Sequence, residues 1–163
     1  MIEVVDNYLS VEDLKKVQDI IFSSDFPFYW NGRVIKDGNE EPKMFYFTHL
    51  LFDTPQGNNS EYFNALYDIF YAKMNIKALN RMKINLYPSN IEQFEHGYHC
   101  DRKYPHKGAI FSLNSCDGYT KFETGEKIES VENRMMFFDP SISHTSANTT
   151  NVKRRININF NYF

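Results

Sequence analysis

The stretch RRININFN, residues 154–161, indicates the fold more clearly than any other part of this chain. From Arg155 onward its odd positions are polar and its even positions are apolar. Side chains alternate between the two faces of a β-strand, so the pattern predicts a strand with one wet face and one packed face. Three Asn in succession on the polar face indicate that this face lines a water-filled cavity.

Other runs in the second half of the chain have the same texture. RMKINLY, residues 81–87, repeats the alternation, with Asn85 and Tyr87 on the polar side. Strand-like runs separated by Gly, Asn and Asp turns cover residues 79–87, 97–101, 108–114, 119–123, 127–131, 134–139 and 153–162. Asp117-Gly118 and Thr124-Gly125-Glu126 are predicted as hairpin turns.

The first half begins with a short predicted strand, Ile2 to Val5, and then contains two amphipathic patterns. One helix is predicted to start at Ser10, whose hydroxyl can cap it, and another follows Ser60. Their apolar stripes are Leu14, Val17, Ile20 and Ile21, and then Phe63, Leu66, Ile69 and Phe70. These patterns predict an α+β domain in which two N-terminal helices brace an antiparallel sandwich or barrel. The polar segment 31–43 is predicted to be a mobile loop.

Length and composition favour a single domain spanning residues 1–163. A formal charge of −3 and a pI near 5.9 give no general attraction to nucleic acid or anionic lipid, with Lys153 to Arg155 as a local exception. We see neither a signal peptide at the start nor an apolar stretch of the ~20 residues that a membrane span needs. We therefore expect a soluble cytoplasmic protein, with Cys100 and Cys116 as free thiols.

The decisive local feature for chemistry is His99-Cys100-Asp101, because a strand would project His99 and Asp101 to the same face, about 6.6 Å apart. That separation suits two ligands of one metal ion, although such a pair also occurs often by chance. A further ligand must come from elsewhere, and the candidates are His49, His96, His106 and His144. His144 is the best placed, since it follows the predicted strand 134–139. Two His and one carboxylate form the facial triad that suits non-haem Fe(II).

We interpret the remaining histidines as structural: His96 and His106 as surface or second-layer residues, and His49 as a core or edge-strand residue. Arg155 lies on the polar face of its strand, where a guanidinium can pair with a carboxylate through two hydrogen bonds. Its alternative role is that of a solvated residue at the start of a strand. Tyr87 is either a ligand contact or a packing residue. Ser112 has weaker support as a further contact.

The order of these elements resembles that of the prolyl-4-hydroxylase-like branch of the 2-oxoglutarate/Fe(II) oxygenases, especially small versions encoded by tailed phages. The resemblance covers about residues 79–163 and rests on INLYP, HGYHCD, AIFSLN, DGYTKF, MMFFDPSISH and RRININFNYF. It implies a double-stranded β-helix, or jelly roll, and an enzyme that couples decarboxylation of 2-oxoglutarate to oxidation of a substrate, a peptidyl proline being the leading guess.

By position, the resemblance implies His99, Asp101 and His144 as iron ligands. It also implies that Arg155 and Tyr87 contact 2-oxoglutarate. Asn157 stands where the family more often has Ser or Thr, and Ser112 where some prolyl hydroxylases have Tyr. A Gly-Gly pair common in the family is Asp117-Gly118-Tyr119 here. These departures affect the fine geometry of the co-substrate site and leave the ligands in place.

Two other functions compete with the oxygenase. A non-catalytic jelly-roll module would use the pocket to bind a sugar or peptide, without need of a metal. A zinc hydrolase would use the same three ligands, but no general base stands at a recognisable spacing.

Overall fold

The computed structural model describes residues 1–32, 44–102 and 104–163, and within them the chain forms two helices and eleven strands. The predicted loop 31–43 therefore falls outside the described residues, apart from Asn31 and Gly32. The helices are α1 (Val11–Ile21) and α2 (Phe63–Met74). The strands are β1 (Glu3–Val5), β2 (Tyr29–Asn31), β3 (Tyr46–Asp53), β4 (Gly57–Asn58), β5 (Leu79–Pro88), β6 (Lys107–Ser112), β7 (Tyr119–Phe122), β8 (Lys127–Glu129), β9 (Arg134–Phe138), β10 (His144–Ser146) and β11 (Arg154–Tyr162).

The strands form two antiparallel sheets. The larger has the order β1-β9-β6-β11-β5-β3-β2, with β4 paired to β3, and the smaller has the order β10-β7-β8. β11 lies between β5 and β6, so that Asn157 is opposite Asn85 on one side and Ser112 on the other. Phe122 of the small sheet packs on Phe138 of the large one, with ring centroids 5.4 Å apart. The two layers therefore form a sandwich.

The two faces of the large sheet differ as the alternation predicts. Its even-numbered apolar side chains on β5 and β11 share one buried cluster with both helices. Members of this cluster are Met82, Ile84, Ile156, Ile158 and Phe160 from the strands and Val17, Ile21, Leu66, Phe70 and Met74 from the helices. The odd-numbered side chains of β5 and β11 lie on the opposite face, where most of them line a pocket.

The helix predictions are confirmed in position. Ser10 caps α1, because its hydroxyl accepts a hydrogen bond of 3.1 Å from the Asp13 backbone N–H. α2 begins at Phe63, shortly after Ser60, and ends at Met74, followed by the capping residue Asn75 in the left-handed conformation. Neither helix of the described chain has the length and apolar character that crossing a membrane requires.

Three predictions about local structure are wrong. The segment Tyr46–Asp53 and its partners β2 and β4 form strands between the two helices, where the predicted strand runs included none, although His49 had been interpreted as a core or edge-strand residue. The run 97–101 is no strand, because only His99 makes a bridge there. Asp117-Gly118 is no hairpin turn, since β6 and β7 belong to different sheets. The turn at 124–126 does join a hairpin, β7 to β8.

Candidate metal centre and its pocket

Two of the predicted metal ligands are tied to each other through their backbones. The N–H of His99 donates to the carbonyl of His144 at 2.9 Å, and the N–H of His144 donates back to the carbonyl of His99 at 2.9 Å. His144 is the first residue of β10, while His99 lies in the irregular segment before β6. This reciprocal pair holds the imidazole rings with centroids 4.8 Å apart.

The three predicted ligands converge. His99, Asp101 and His144 each offer a ligand atom, and these atoms lie within 4.8 Å of one another. Nδ1 of His99 is 3.3 Å from the Gly97 carbonyl, and Nδ1 of His144 is 2.9 Å from the Ile142 carbonyl. Such bonds fix the tautomer and leave Nε2 as the coordinating atom. The donor set fits a divalent transition metal, with coordination positions left open.

The Asp101 carboxylate is buried and held at both oxygens. Arg81 Nη2 donates to Oδ1 at 3.0 Å, and Asn161 Nδ2 donates to Oδ2 at 2.9 Å. Burial by itself raises the pKa of Asp101, but the Arg81 guanidinium, the two imidazoles and the Asn161 amide together hold it well below its usual range. Asp101 is therefore an anion at any pH at which the protein would bind iron.

His99 is also adjusted for ligation. Burial lowers its pKa below the usual value, and the neighbouring His144 lowers it further, against an opposing effect of Asp101. A neutral imidazole is the form that binds a metal. Near pH 7 His99 therefore needs no deprotonation before ligation.

A cavity of about 40 Å³ opens beside these ligands. Its walls are the odd-numbered faces of β5 and β11, together with residues of β3, β6, β7 and β10. Its lining comprises Tyr46, Arg81, Lys83, Asn85, Tyr87, His99, Asp101, Ile110, Thr120, His144, Ser146, Asn157 and Asn159. Most of these lining side chains are polar.

Arg155 lies behind this pocket with an exposed fraction of 1 %. Its Nη1 donates to the carbonyls of Tyr119 at 2.8 Å and Ala147 at 2.9 Å, and its Nη2 donates to Thr120 Oγ1 at 3.1 Å. The guanidinium lies 5.3 Å from the centroid of the Tyr87 ring. The buried Nε–H has no hydrogen-bond partner among the described residues. Burial lowers the pKa of Arg155, yet a guanidinium stays charged in proteins. A fixed cation with an orphaned donor fits an anionic ligand.

Gly118 allows Arg155 to take this position. A Cβ at residue 118 would lie 2.7 Å from Cδ of Arg155 and 2.8 Å from the carbonyl oxygen of Asn148. Any side chain there would displace the arginine stem or the backbone. The single glycine of Asp117-Gly118-Tyr119 thus stands where close approach requires it.

The structure places the other predicted co-substrate residues at different distances from the cavity. Tyr87 and Asn157 line it, and Asn157 accepts a hydrogen bond of 2.9 Å from Asn85. Ser112 is buried opposite Asn157, but in the part of the chain that is described it does not line the cavity. Arg154 is exposed and packs its guanidinium on Phe22, away from Arg155.

The remaining histidines lie outside the ligand cluster. His49 is a core residue on β3, with its ring nitrogens 2.7 Å from the Pro27 carbonyl and 2.7 Å from Ser60 Oγ. His96 is buried at 2 % exposure beside Tyr87, so the surface alternative for it is wrong. Cys100 and Cys116 are free thiols, as expected.

Sequence reasoning missed Arg81 and Lys83. Both line the cavity from β5, on the same odd-numbered face as Asn85 and Tyr87. The alternation that singled out Tyr87 includes both positions. They were missed because a cation near a strand start is usually exposed to solvent.

Solved structures of other proteins share this fold. A prolyl hydroxylase from Trichoplax adhaerens, solved with a hypoxia-inducible-factor peptide fragment, aligns with a TM-score of 0.65 at 15% identity, over 99% of this chain and 83% of its own. A 2OG-Fe(II) oxygenase family oxidoreductase from Burkholderia pseudomallei aligns with a TM-score of 0.67 at 9% identity, over 99% and 84%. The epimerase SnoN, solved with Fe3+, alpha ketoglutarate and nogalamycin RO, aligns with a TM-score of 0.67 at 10% identity, over 99% and 78%.

Comparisons of sequence gave no match, either to a family model or to a curated protein. At identities of 9 to 15% the structural likeness establishes the fold alone, a jelly roll that this chain shares with these solved structures. The predicted fold class, a mainly antiparallel β structure with two helices, is thereby confirmed.

Proposed function

We propose that this protein is an Fe(II)- and 2-oxoglutarate-dependent oxygenase. The observation that carries the proposal is the convergence of His99, Asp101 and His144 within 4.8 Å, beside a pocket backed by the buried cation of Arg155. The shared fold supports it, because the structural neighbours include oxygenases of this class.

In this proposal His99 and His144 bind the iron through Nε2, and Asp101 supplies the anionic ligand. Arg81 and Asn161 keep the Asp101 carboxylate oriented through its two oxygens. With iron, 2-oxoglutarate and dioxygen bound, such a centre couples decarboxylation of the keto acid to succinate and CO2 with oxidation of a substrate C–H bond.

The distal carboxylate of 2-oxoglutarate is assigned to Arg155, whose Nε–H is free to donate. Tyr87 supplies a ring against the guanidinium and a hydroxyl near the ligand, and Asn157 supplies an amide on the pocket wall. Ser112 supports Asn157 from the neighbouring strand. A charge-assisted hydrogen bond in this buried position is strong because little water competes for it.

A peptidyl proline is the first substrate to test, since prolyl hydroxylases are among the neighbours. The presence of an epimerase among them means that the fold leaves the type of oxidation open. We further propose that the two helices brace the sheet that carries the site, and that the chain is of the small phage-encoded type, acting in the cytoplasm of a host cell. The order of its motifs supports the latter.

The proposal is tested by adding Fe(II) and 2-oxoglutarate to the protein without oxygen. We expect a weak visible charge-transfer band, and succinate once oxygen is admitted. Asp101→Ala, which removes the only anionic ligand, should abolish both signals. Asp139→Ala is the matched control, because the Asp139 carboxylate accepts hydrogen bonds only from Ser141 in the described chain and lies outside the ligand cluster. A wild-type protein that yields neither band nor succinate refutes the proposal.

The same experiment separates the competing functions. A binding module would bind its ligand equally well after the metal is removed with a chelator. A zinc hydrolase would form no succinate when loaded with Fe(II) and 2-oxoglutarate, because it has no use for the keto acid.

A further inference from the structure

A second cation lines the pocket on β5, one pleat away from the Arg81 that bonds to Asp101. Lys83 is half-buried, and its Nζ lies 5.5 Å from the centroid of the Tyr46 ring. In the described part of the chain, no carboxylate lies within ion-pair distance of this nitrogen, and it makes no hydrogen bond. Withdrawing an unpaired ammonium from water is unfavourable, so an arrangement of this kind points to an anionic ligand.

The charges already assigned to the site do not account for Lys83. The two positive charges of Fe(II) balance the two negative charges of the 2-oxoglutarate carboxylates. The positive charge of Arg81 balances the negative charge of Asp101, with which it forms an ion pair of 3.0 Å. The loaded pocket therefore retains the charges of Arg155 and Lys83. An additional anion would be attracted into it.

Lys83 and the keto-acid residues enter the pocket from different strands. Arg155 and Asn157 lie on β11, on one side of β5, whereas the Lys83 ammonium lies by Tyr46 of β3, on the other side. The Tyr46 ring stacks on the Tyr87 ring with centroids 5.5 Å apart, and the Tyr87 ring lies 5.3 Å from the Arg155 guanidinium. Two stacked aromatic rings therefore lie in the series of contacts from Lys83 to Arg155.

We infer that Lys83 binds a carboxylate of the molecule that this enzyme oxidises, so that the substrate class is that of carboxylate-bearing compounds. This inference rests on the proposed function. It agrees with the pKa of Lys83, which burial and the neighbouring Arg81 lower to about 7 while Asp101 offsets them only in part. A bound carboxylate would restore the charged form.

The experiment uses matched probes: N-acetyl amino acids as free acids, and the same compounds as carboxamides. Each is titrated by calorimetry, without oxygen, into the protein loaded with Fe(II) and 2-oxoglutarate. We expect at least one acid to bind about tenfold or more tighter than its amide, which corresponds to about 1.4 kcal/mol. Lys83→Met should abolish that difference, and Lys83→Arg should retain most of it.

Lys107→Met is the matched control. Lys107 lies on β6 with its Nζ 5.8 Å from the Tyr162 ring, a similar contact, but it is exposed and does not line the pocket. The Lys107→Met variant should bind the acids and amides with the same affinities as the wild type. Lys83→Met should also change the affinity for 2-oxoglutarate less than threefold.

Two results would overturn the inference. One is that no acid in the panel binds tighter than its amide. The other is that Lys83→Met weakens the binding of 2-oxoglutarate as much as Arg155→Met does, since Lys83 would then bind the keto acid. Both leave the proposed function intact as long as the iron and 2-oxoglutarate band forms, whereas absence of that band would refute the function itself.

Discussion

At the scale of single residues, the two cations assigned to ligands, the buried Arg155 and the half-buried Lys83, are held in different ways. Arg155 is fixed by two hydrogen bonds to β7 and one to the carbonyl of Ala147, which follows β10, and Lys83 has none in the described chain. A fixed guanidinium suits a ligand of constant shape, such as a keto acid. A flexible ammonium suits a ligand that approaches from the open side of the pocket.

Arg155→Met should weaken 2-oxoglutarate binding by about 10- to 100-fold, because a hydrogen bond to a charged group contributes about 1.5–3 kcal/mol. The measurement is a titration of the charge-transfer band. Arg154→Met is the control, since Arg154 is exposed and packs on Phe22. Iron affinity should stay the same in both variants, which would show that the fold is intact. Equal 2-oxoglutarate affinity in both variants would contradict the role of Arg155.

Lys83→Met should stabilise the metal-free protein near pH 7. In the unfolded chain the pKa of Lys83 is near its ordinary value of 10.5. In the folded protein burial and the neighbouring Arg81 lower this pKa to about 7, and Asp101 offsets the shift only in part. Between these values the unfolded state binds more protons, so wild-type stability falls as the pH falls towards 7 and the loss is complete below that. Methionine carries no such cost.

Chemical denaturation between pH 6 and 9 measures this effect. The stability difference between Lys83→Met and the wild type should grow as the pH is lowered from 9 to 7, and Lys107→Met should stay within about 0.5 kcal/mol of the wild type. A difference that shrinks towards pH 7 would show that Lys83 is paired in the folded protein.

At the scale of elements, β5 and β11 connect the core to the site. Their even-numbered side chains pack against the helices, and their odd-numbered ones line the pocket. Any shift of the helices therefore moves the pocket wall. This is the physical basis for proposing that the helices brace the site.

Leu66→Ala tests that bracing. Leu66 is fully buried on α2, in the cluster that includes Ile158 and Phe160, so its truncation should cost about 2–5 kcal/mol of unfolding free energy. Denaturant titration gives the value, and Tyr71→Ala on the exposed face of the same helix is the control. A loss for Leu66→Ala no larger than that of the control would show that α2 does not support the sheet.

The alternation in residues 154–161 and 81–87 was sufficient to predict these two strands and their faces. It did not reveal Tyr46–Asp53, because that segment is apolar at successive positions and shows no period of two. His99 and Asp101 do lie close together, but not on a regular strand as the alternation predicted. His99 is held by its backbone pair with His144, and the Asp101 N–H donates to the Pro140 carbonyl.

At the scale of the whole molecule, the choice of the second histidine could not be derived from local pattern. His144 follows His99 by 45 positions in the chain, and only the sheet topology brings them together. Likewise, the separation of Lys83 from Arg155 depends on which strands flank β5. Sequence patterns assign faces, whereas the order of strands in the sheets assigns neighbours.

The proposed function requires one iron ion bound between His99, Asp101 and His144. The most direct measurement is anomalous diffraction at the iron edge from crystals grown without oxygen in the presence of Fe(II) and 2-oxoglutarate. We predict a single strong peak about 2.0–2.2 Å from Nε2 of both histidines and from one Asp101 oxygen, by analogy with nitrogen and oxygen ligands of similar divalent ions. An iron-loaded crystal with no peak there, or with its peak at another position, would contradict the account.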